Sequence, residues 1–305
     1  MNIVFKVSDA TKQKLIDYYK DKKRDKQIPY VIFQAQEEDT VITLYESGKV
    51  MFQGVSADVD ATMWREIEGI ADDSVIKKLE EEKDKKYYYC NAVGSDEVGT
   101  GDYFGPIVVT STYVRKEDIP FLESLGIKDS KKMTDETILK IAKEIAKKIP
   151  YKSIILSNKE YNEKYSKDLN MNKIKAILHN KVLYKMINEE KPNIDYIIVD
   201  EFARENRYYN YIEGSGPIQK GITFMTKAED KNLAVACASV ISRYIFLKEF
   251  DKLCDEVHLP LVKGAGNLVD EIGEELVEKY GKDKLNEVAK LNFKNTERIL
   301  KTMLF

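Results

Sequence analysis

Apolar positions recur along the chain with two distinct periods. Leu15, Ile16 and Tyr19 share one face of a segment that predicts a helix over Ala10–Arg24. Pro29 ends it, and the short runs YVIFQ (Tyr30–Gln34) and TVITLY (Thr40–Tyr45) predict strands. Glu46–Lys49 predicts a hairpin turn with Gly48 at positive φ, returning as a strand over Lys49–Gln53. Ala57–Ile70 predicts a second helix, so the first 70 residues read as helix, antiparallel strands, helix. Residues 71–86 are densely charged with few apolar anchors and read as a linker. From residue 87 to 305 strands and helices alternate, the mark of an α/β domain. Predicted strands are Tyr87–Val93, Pro106–Val114, Ser153–Ser157 and the fully apolar Tyr196–Val199, which suits a buried central position. A helix capped by Thr134 carries Ile138, Ile141, Ala142, Ile145 and Ile149 at helical spacing. Further helices are expected over Ile174–Ile187, over Leu233–Phe250 with the small residues Ala234 and Ala238 suited to close packing, and twice within Val269–Leu300.

Composition narrows the class. Hydrophobic residues at 43% and charged residues at 33% describe a folded globular chain rather than a disordered one. No apolar run approaches the roughly 20 residues of a membrane span, and the N-terminus lacks the order of a secretory signal, so a cytoplasmic location is expected. Cys90, Cys237 and Cys254 lie far apart without CxxC spacing, which argues for reduced thiols and against a zinc or disulfide framework. Two histidines, His179 and His258, leave little material for a histidine metal site or a Ser–His–Asp triad. The net charge of −3 does not advertise a nucleic-acid binder, but a local basic face is what binds phosphate. Lys12 to Lys26 holds seven basic residues against three acids, and taken alone it reads as a solvated helix face.

The chemistry lies in the acids. Asp96 and Glu97 follow the predicted strand Tyr87–Val93, Asp200 closes YIIV, and Glu229 and Asp230 precede the apolar stretch LAVACASVIS. Singly, each is better read as a turn or cap residue. Together, carboxylates converging at strand ends repel one another unless a cation is present, and hard divalent ions favour such oxygen donors. Asp96-Glu97 runs directly into Gly99-Thr100-Gly101, where glycines expose backbone N–H groups and Thr100 adds a hydroxyl, suiting contact with a phosphate or a ribose 2′-OH.

Five ordered motifs, SDEVGTGDYFGP, KDSKKMTD, LNMNKIKAILHNKVL, VDEF and KAEDKNLAVACASVISR, together resemble ribonuclease HIII, a family of type 2 ribonucleases H. SGKVMFQG (Ser47–Gly54) is similar to that family's N-terminal domain, which has a TATA-binding-protein-like fold and binds substrate. The resemblance implies a ribonuclease H-like catalytic domain, a mixed sheet flanked by helices, behind a small α+β domain. It implies cleavage of the RNA strand of an RNA–DNA hybrid duplex, leaving 5′-phosphate and 3′-hydroxyl ends. Mg²⁺ or Mn²⁺ would be held by Asp96, Glu97, Asp200 and a fourth carboxylate. Glu229 takes that place, ten residues before Ser239, with Asp230 as its competitor. Gly99, Thr100 and Gly101 would contact the nucleic acid near the scissile bond, Lys131 would lie beside its backbone, and Lys49 with the Lys12–Lys26 helix would grip it. A monomer without organic cofactor is expected. Cleavage at single ribonucleotides in DNA, as in the ribonuclease HII sibling, and an inactive nucleic-acid-binding protein are the alternatives. A small-molecule carboxylate enzyme would leave the basic helix unexplained. His179 reads as a structural histidine, His258 and the glycines of VKGAGN as loop residues, and most tyrosines as core or surface.

Overall fold

A computed structural model describes residues 2–24, 28–69, 85–127 and 133–302. The chain divides into two compact units, 1–83 and 84–305. The smaller unit contains β1 (Asn2–Lys6), α1 (Asp9–Tyr19), β2 (Val31–Glu37), β3 (Thr40–Tyr45), β4 (Lys49–Gln53) and α2 (Ala57–Glu68). Its strands form an antiparallel sheet in the order β1-β4-β3-β2. Alternation decides the faces: Phe33, Ile42, Leu44, Val50 and Phe52 point inward onto Leu15, Tyr19 and Trp64 of the helices. Lys49, Met51 and Gln53 of β4 fall on the opposite, uncovered side, beside the exposed Val4 of β1.

β1 was not expected, β2 runs on to Glu37 rather than ending at Gln34, and the helix end and strand start between them also differ from the sequence reading. α1 stops at Tyr19 and tightens into a 3₁₀ turn over Lys20–Lys22, so the predicted helix to Arg24 is shorter. Tyr30 stands at φ 64°, outside the extended range, and β2 begins only at Val31. Gly69 closes α2 in the left-handed conformation, donating its N–H back to Glu66.

The larger unit is built on a five-stranded mixed sheet, order β7-β6-β5-β8-β9. Its elements are a helical turn α3 (residues 85–88), β5 (Ala92–Val98), β6 (Ile107–Val114), α4 (Ile119–Ser124), α5 (Asp135–Lys148), β7 (Tyr151–Leu156), α6 (Asn158–Lys164), α7 (Met171–Glu190), β8 (Tyr196–Asp200), α8 (Glu205–Ile212), β9 (Ile222–Met225), α9 (Ala228–Lys231), α10 (Leu233–Val257), α11 (Asn267–Tyr280), α12 (Leu285–Val288) and α13 (Lys294–Thr302). β6 runs antiparallel to β5 and β7, whereas β5, β8 and β9 are parallel. α10 covers one face and α7 the other.

The strand predicted over Tyr87–Val93 is displaced. Residues 85–88 are helical, and the strand runs from Ala92 through Asp96 and Glu97 to Val98, so both acids lie within it rather than after it. The reason is packing. Tyr87 turns edge-on to Tyr196 at 4.9 Å, and Cys90 Sγ donates to the Tyr87 carbonyl, which uses the aromatic run as a plug below the sheet. Gly94 then lets α10 approach: a Cβ there would stand 2.4 Å from the backbone N of Val235. The same close contact lets Thr112 Oγ1 donate to the Ala234 carbonyl at 2.6 Å. No helix among the described residues is long and apolar enough to cross a membrane.

Candidate active site

The parallel pairing of β5 with β8 aligns Ala92 with Tyr196 and Ser95 with Val199. One step further this register brings Asp96 and Asp200 level, at the carboxyl ends of neighbouring strands. They also share a face, because Gly94 and Ile198, two residues before each, both meet α10. Ser239 of α10 hydrogen-bonds the Asp96 side chain, and Ser242 Oγ donates to the Asp96 carbonyl at 3.1 Å. Burial pushes the Asp96 carboxyl above the usual carboxylate range. Glu97 and then Asp200 add like-charge repulsion, which the Ser239 hydrogen bond only partly offsets. Asp200 Oδ1 accepts the N–H of Ala228 at 3.0 Å, which ties α9 to the end of β8. The residue after Ala228 is Glu229, 8% exposed, whereas Asp230 on the next step faces solvent. Helix capping falls to neither: Asn232 accepts the N–H groups of Ala234 and Val235 at the start of α10.

Glu97 emerges on the opposite face, toward α7. Lys175 Nζ donates to its Oε1 at 2.5 Å, and His179 Nε2 lies 2.9 Å from its Oε2. The other ring nitrogen of His179 is 2.8 Å from Ser95 Oγ, so the imidazole is held from both sides. Phe202, two residues past Asp200, stacks on His179 at 5.4 Å, and the Lys175 ammonium sits 4.2 Å above the Phe202 ring. Burial opposes the charge on Glu97, but His179 and Lys175 overcome it and hold the carboxyl well below its usual range. His179 was expected to be structural. It is buried and hydrogen-bonded, and one of its partners is a candidate site carboxylate. The spacing of Lys175 and His179, four residues apart on one helix face, was the available signal.

Among the described residues no three acid, histidine or cysteine side chains stand gathered as a ready metal cluster. The donor chemistry nonetheless fits a hard divalent cation. Asp96 and Asp200 offer oxygen ligands on one face, Ala228, next to Glu229, is hydrogen-bonded to Asp200, and the repulsion between Asp96 and Asp200 would be relieved by positive charge.

The glycine loop is rigidly built. Gly99 stands at φ 94°, and a Cβ there would lie 2.1 Å from the Pro106 carbonyl oxygen. Gly101 has open space around it, and Thr100 is half-buried. Downstream, Lys290 Nζ donates to the carbonyls of Asp102, at 2.8 Å, and Gly105, and Asn158 Nδ2 donates to the same Gly105 carbonyl at 2.9 Å. Gly264 donates its N–H to Asp102 Oδ1 and accepts from Tyr103 N. The VKGAGN segment, read as a plain loop, therefore clamps this one. Lys49 belongs to the smaller unit, on its open sheet face, and Lys131 lies outside the described residues.

A family model described as Ribonuclease HII matches residues 93–296, and one described as a domain of unknown function matches residues 2–76. A ribonuclease HIII of Bacillus cereus is 38% identical over 307 residues, covering 99% of each chain. The chain belongs to the ribonuclease HIII family. Bst-RNase HIII, solved in complex with Mn²⁺, is 35% identical with a TM-score of 0.71 over 99% of both chains. The RNase H3 of Aquifex aeolicus, 23% identical with a TM-score of 0.55 over 95% of this chain, shares the fold. The five-stranded mixed sheet is thus the ribonuclease H-like sheet of a ribonuclease HIII, and the antiparallel unit before it is the N-terminal domain of that family.

Proposed function

We propose that this ribonuclease HIII family member is an endonuclease that hydrolyses the RNA strand of RNA–DNA hybrids, leaving 5′-phosphate and 3′-hydroxyl ends. Asp96, Asp200 and Glu229 would hold Mg²⁺ or Mn²⁺, and Glu97, close enough for its charge to act on Asp96, would join them from the α7 side. The observation that carries this reading is the level placement of Asp96 and Asp200 on adjacent parallel strands, with the N–H of Ala228, the residue before buried Glu229, hydrogen-bonded to Asp200. When bound, the cation supplies Lewis acidity at the phosphodiester and activates the attacking water. The chain's own groups do the positioning. His179 and Lys175 fix the rotamer and the ionised form of Glu97. The clamped loop presents the open backbone at Gly101 for close approach of the sugar-phosphate chain. Lys49, on the open face of the smaller sheet, adds a phosphate contact that is independent of sequence. The three cysteines are free thiols, in keeping with a reducing, cytoplasmic location. The test compares two labelled duplexes under Mn²⁺, one with a continuous ribonucleotide strand and one with a single ribonucleotide in DNA. The hybrid should be cut far faster. Comparable rates would move the chain to the ribonuclease HII-like alternative, and no cleavage of either would leave only a binding protein.

A further inference from the structure

Past Asp200 the chain turns through Phe202 and Arg204 into α8 and folds back beside the first turn of α7. A hollow of about 540 Å³ opens there, lined chiefly by Asn172, Phe202, Arg204, Asn206, Arg207 and Tyr211. Among the described residues no acidic side chain lines it. Both arginines are exposed, and among the described residues neither pairs with a carboxylate. The Arg207 guanidinium lies 5.5 Å from the Tyr211 ring centroid, a cation–π contact that holds the fork in place while leaving its donors to a ligand. Asn172 stands in the first turn of the 20-residue α7, so the positive end of that helix opens toward the same space. Unpaired guanidinium groups, side-chain amides and aromatic rings, with no acid among them, form an environment for phosphate, ribose and base together. The volume matches one nucleotide rather than a duplex.

Its location says which nucleotide. Phe202 forms part of the wall and also stacks on His179, which holds Glu97. Phe202 and then His179 therefore connect the hollow to Glu97. We propose that the hollow is a subsite for a phosphodiester-linked nucleotide of the substrate flanking the scissile position, with Arg204 and Arg207 on its phosphate. This rests on the reading above and adds a contact outside the acidic centre and the glycine loop.

The experiment measures hybrid binding in EDTA against NaCl concentration, for the wild-type chain and for Arg204→Gln, Arg207→Gln and the double variant. Both side chains are exposed, and circular dichroism of the variants checks that they keep the fold. The double variant should bind about tenfold more weakly near 0.1 M salt, and its log–log salt dependence should be shallower by about 2, one for each lost phosphate contact. Under Mn²⁺ its KM should rise while kcat at saturating hybrid stays the same. Unchanged affinity and slope, or a fall in kcat at constant KM, would overturn the assignment. A free ribonucleoside monophosphate should bind only weakly. Tight, arginine-dependent binding of it would reassign the hollow to a free nucleotide. EDTA removes the cation that cleavage is proposed to need, so the titration reads binding alone and tests the hollow even if the wild-type chain fails to cut hybrids.

Discussion

Glu229 and Asp230 are adjacent in sequence but differ in surroundings: the first is buried behind the end of β8 and the second faces water. Glu229→Gln should therefore depress metal-dependent cleavage by more than the roughly 10–100-fold that loss of an outer hydrogen-bond partner costs, while Asp230→Asn stays nearly active. The reverse pattern in a Mn²⁺ titration of cleavage rate would transfer the role to Asp230. His179→Ala should raise the Mn²⁺ concentration needed for half-maximal rate by about 10–100-fold, since it releases Glu97 from one of its two holders. An unchanged midpoint would make His179 structural after all. The acids themselves were legible as residues at the ends of apolar segments. The partners of Glu97 were not, because a histidine and a lysine on a helix reveal nothing until the helix is laid against a particular strand.

Lys290 makes a separate residue-scale case. It is fully buried among backbone carbonyls, and burial pushes its ammonium down to about 7, with Asp102 opposing the shift. The unfolded chain then binds a proton that the folded chain releases between about pH 7 and the ordinary lysine value. Folding stability should accordingly rise with pH across that window, by up to about 1.4 kcal/mol per pH unit from this group. Urea midpoints of wild type and Lys290→Met at pH 7 and pH 9 check this: the gap should shift in favour of the wild type at the higher pH. A gap independent of pH would refute the assignment.

Among elements, the contact of β5 with α10 places both Asp96 and its serine partners. Gly94→Ala would press a methyl into the backbone at Val235, and it should cost about 1–3 kcal/mol of stability or more, read from denaturant midpoints. Gly101→Ala, with open space around it, should move the midpoint by less than about 0.5 kcal/mol. Equal effects would mean that α10 does not sit on Gly94. Long or uniform elements were readable: α5 from its one buried face at helical spacing, and β8 from an unbroken apolar run buried on both faces. β1 and β9 went unseen: five and four residues carry too little alternation, and each is defined by its pairing with β4 or β8. The YYYC run misled for a related reason, since tyrosines favour strands only where a sheet receives them, and here they pack below one.

At the scale of the whole chain, each unit carries its own apolar core. Removing residues 1–83 should therefore leave a folded catalytic unit that binds hybrid much more weakly at equal salt. Undiminished affinity of the truncated chain would remove Lys49 and the open sheet face from the binding surface. The linker expected over residues 71–86 lies almost wholly outside the described residues, whereas the ordered motifs carried the family. What sequence did not show was how the acids divide between the two faces of the sheet, because that depends on register. The most direct test of the account is a labelled RNA–DNA hybrid incubated with the full chain and with Asp96→Asn, each under Mn²⁺, Mg²⁺ and excess EDTA. The account predicts cleavage of the RNA strand by the wild-type chain with a divalent cation, none in EDTA, and none by Asp96→Asn under any condition. Cleavage in EDTA, or an Asp96→Asn variant as active as wild type, would contradict it.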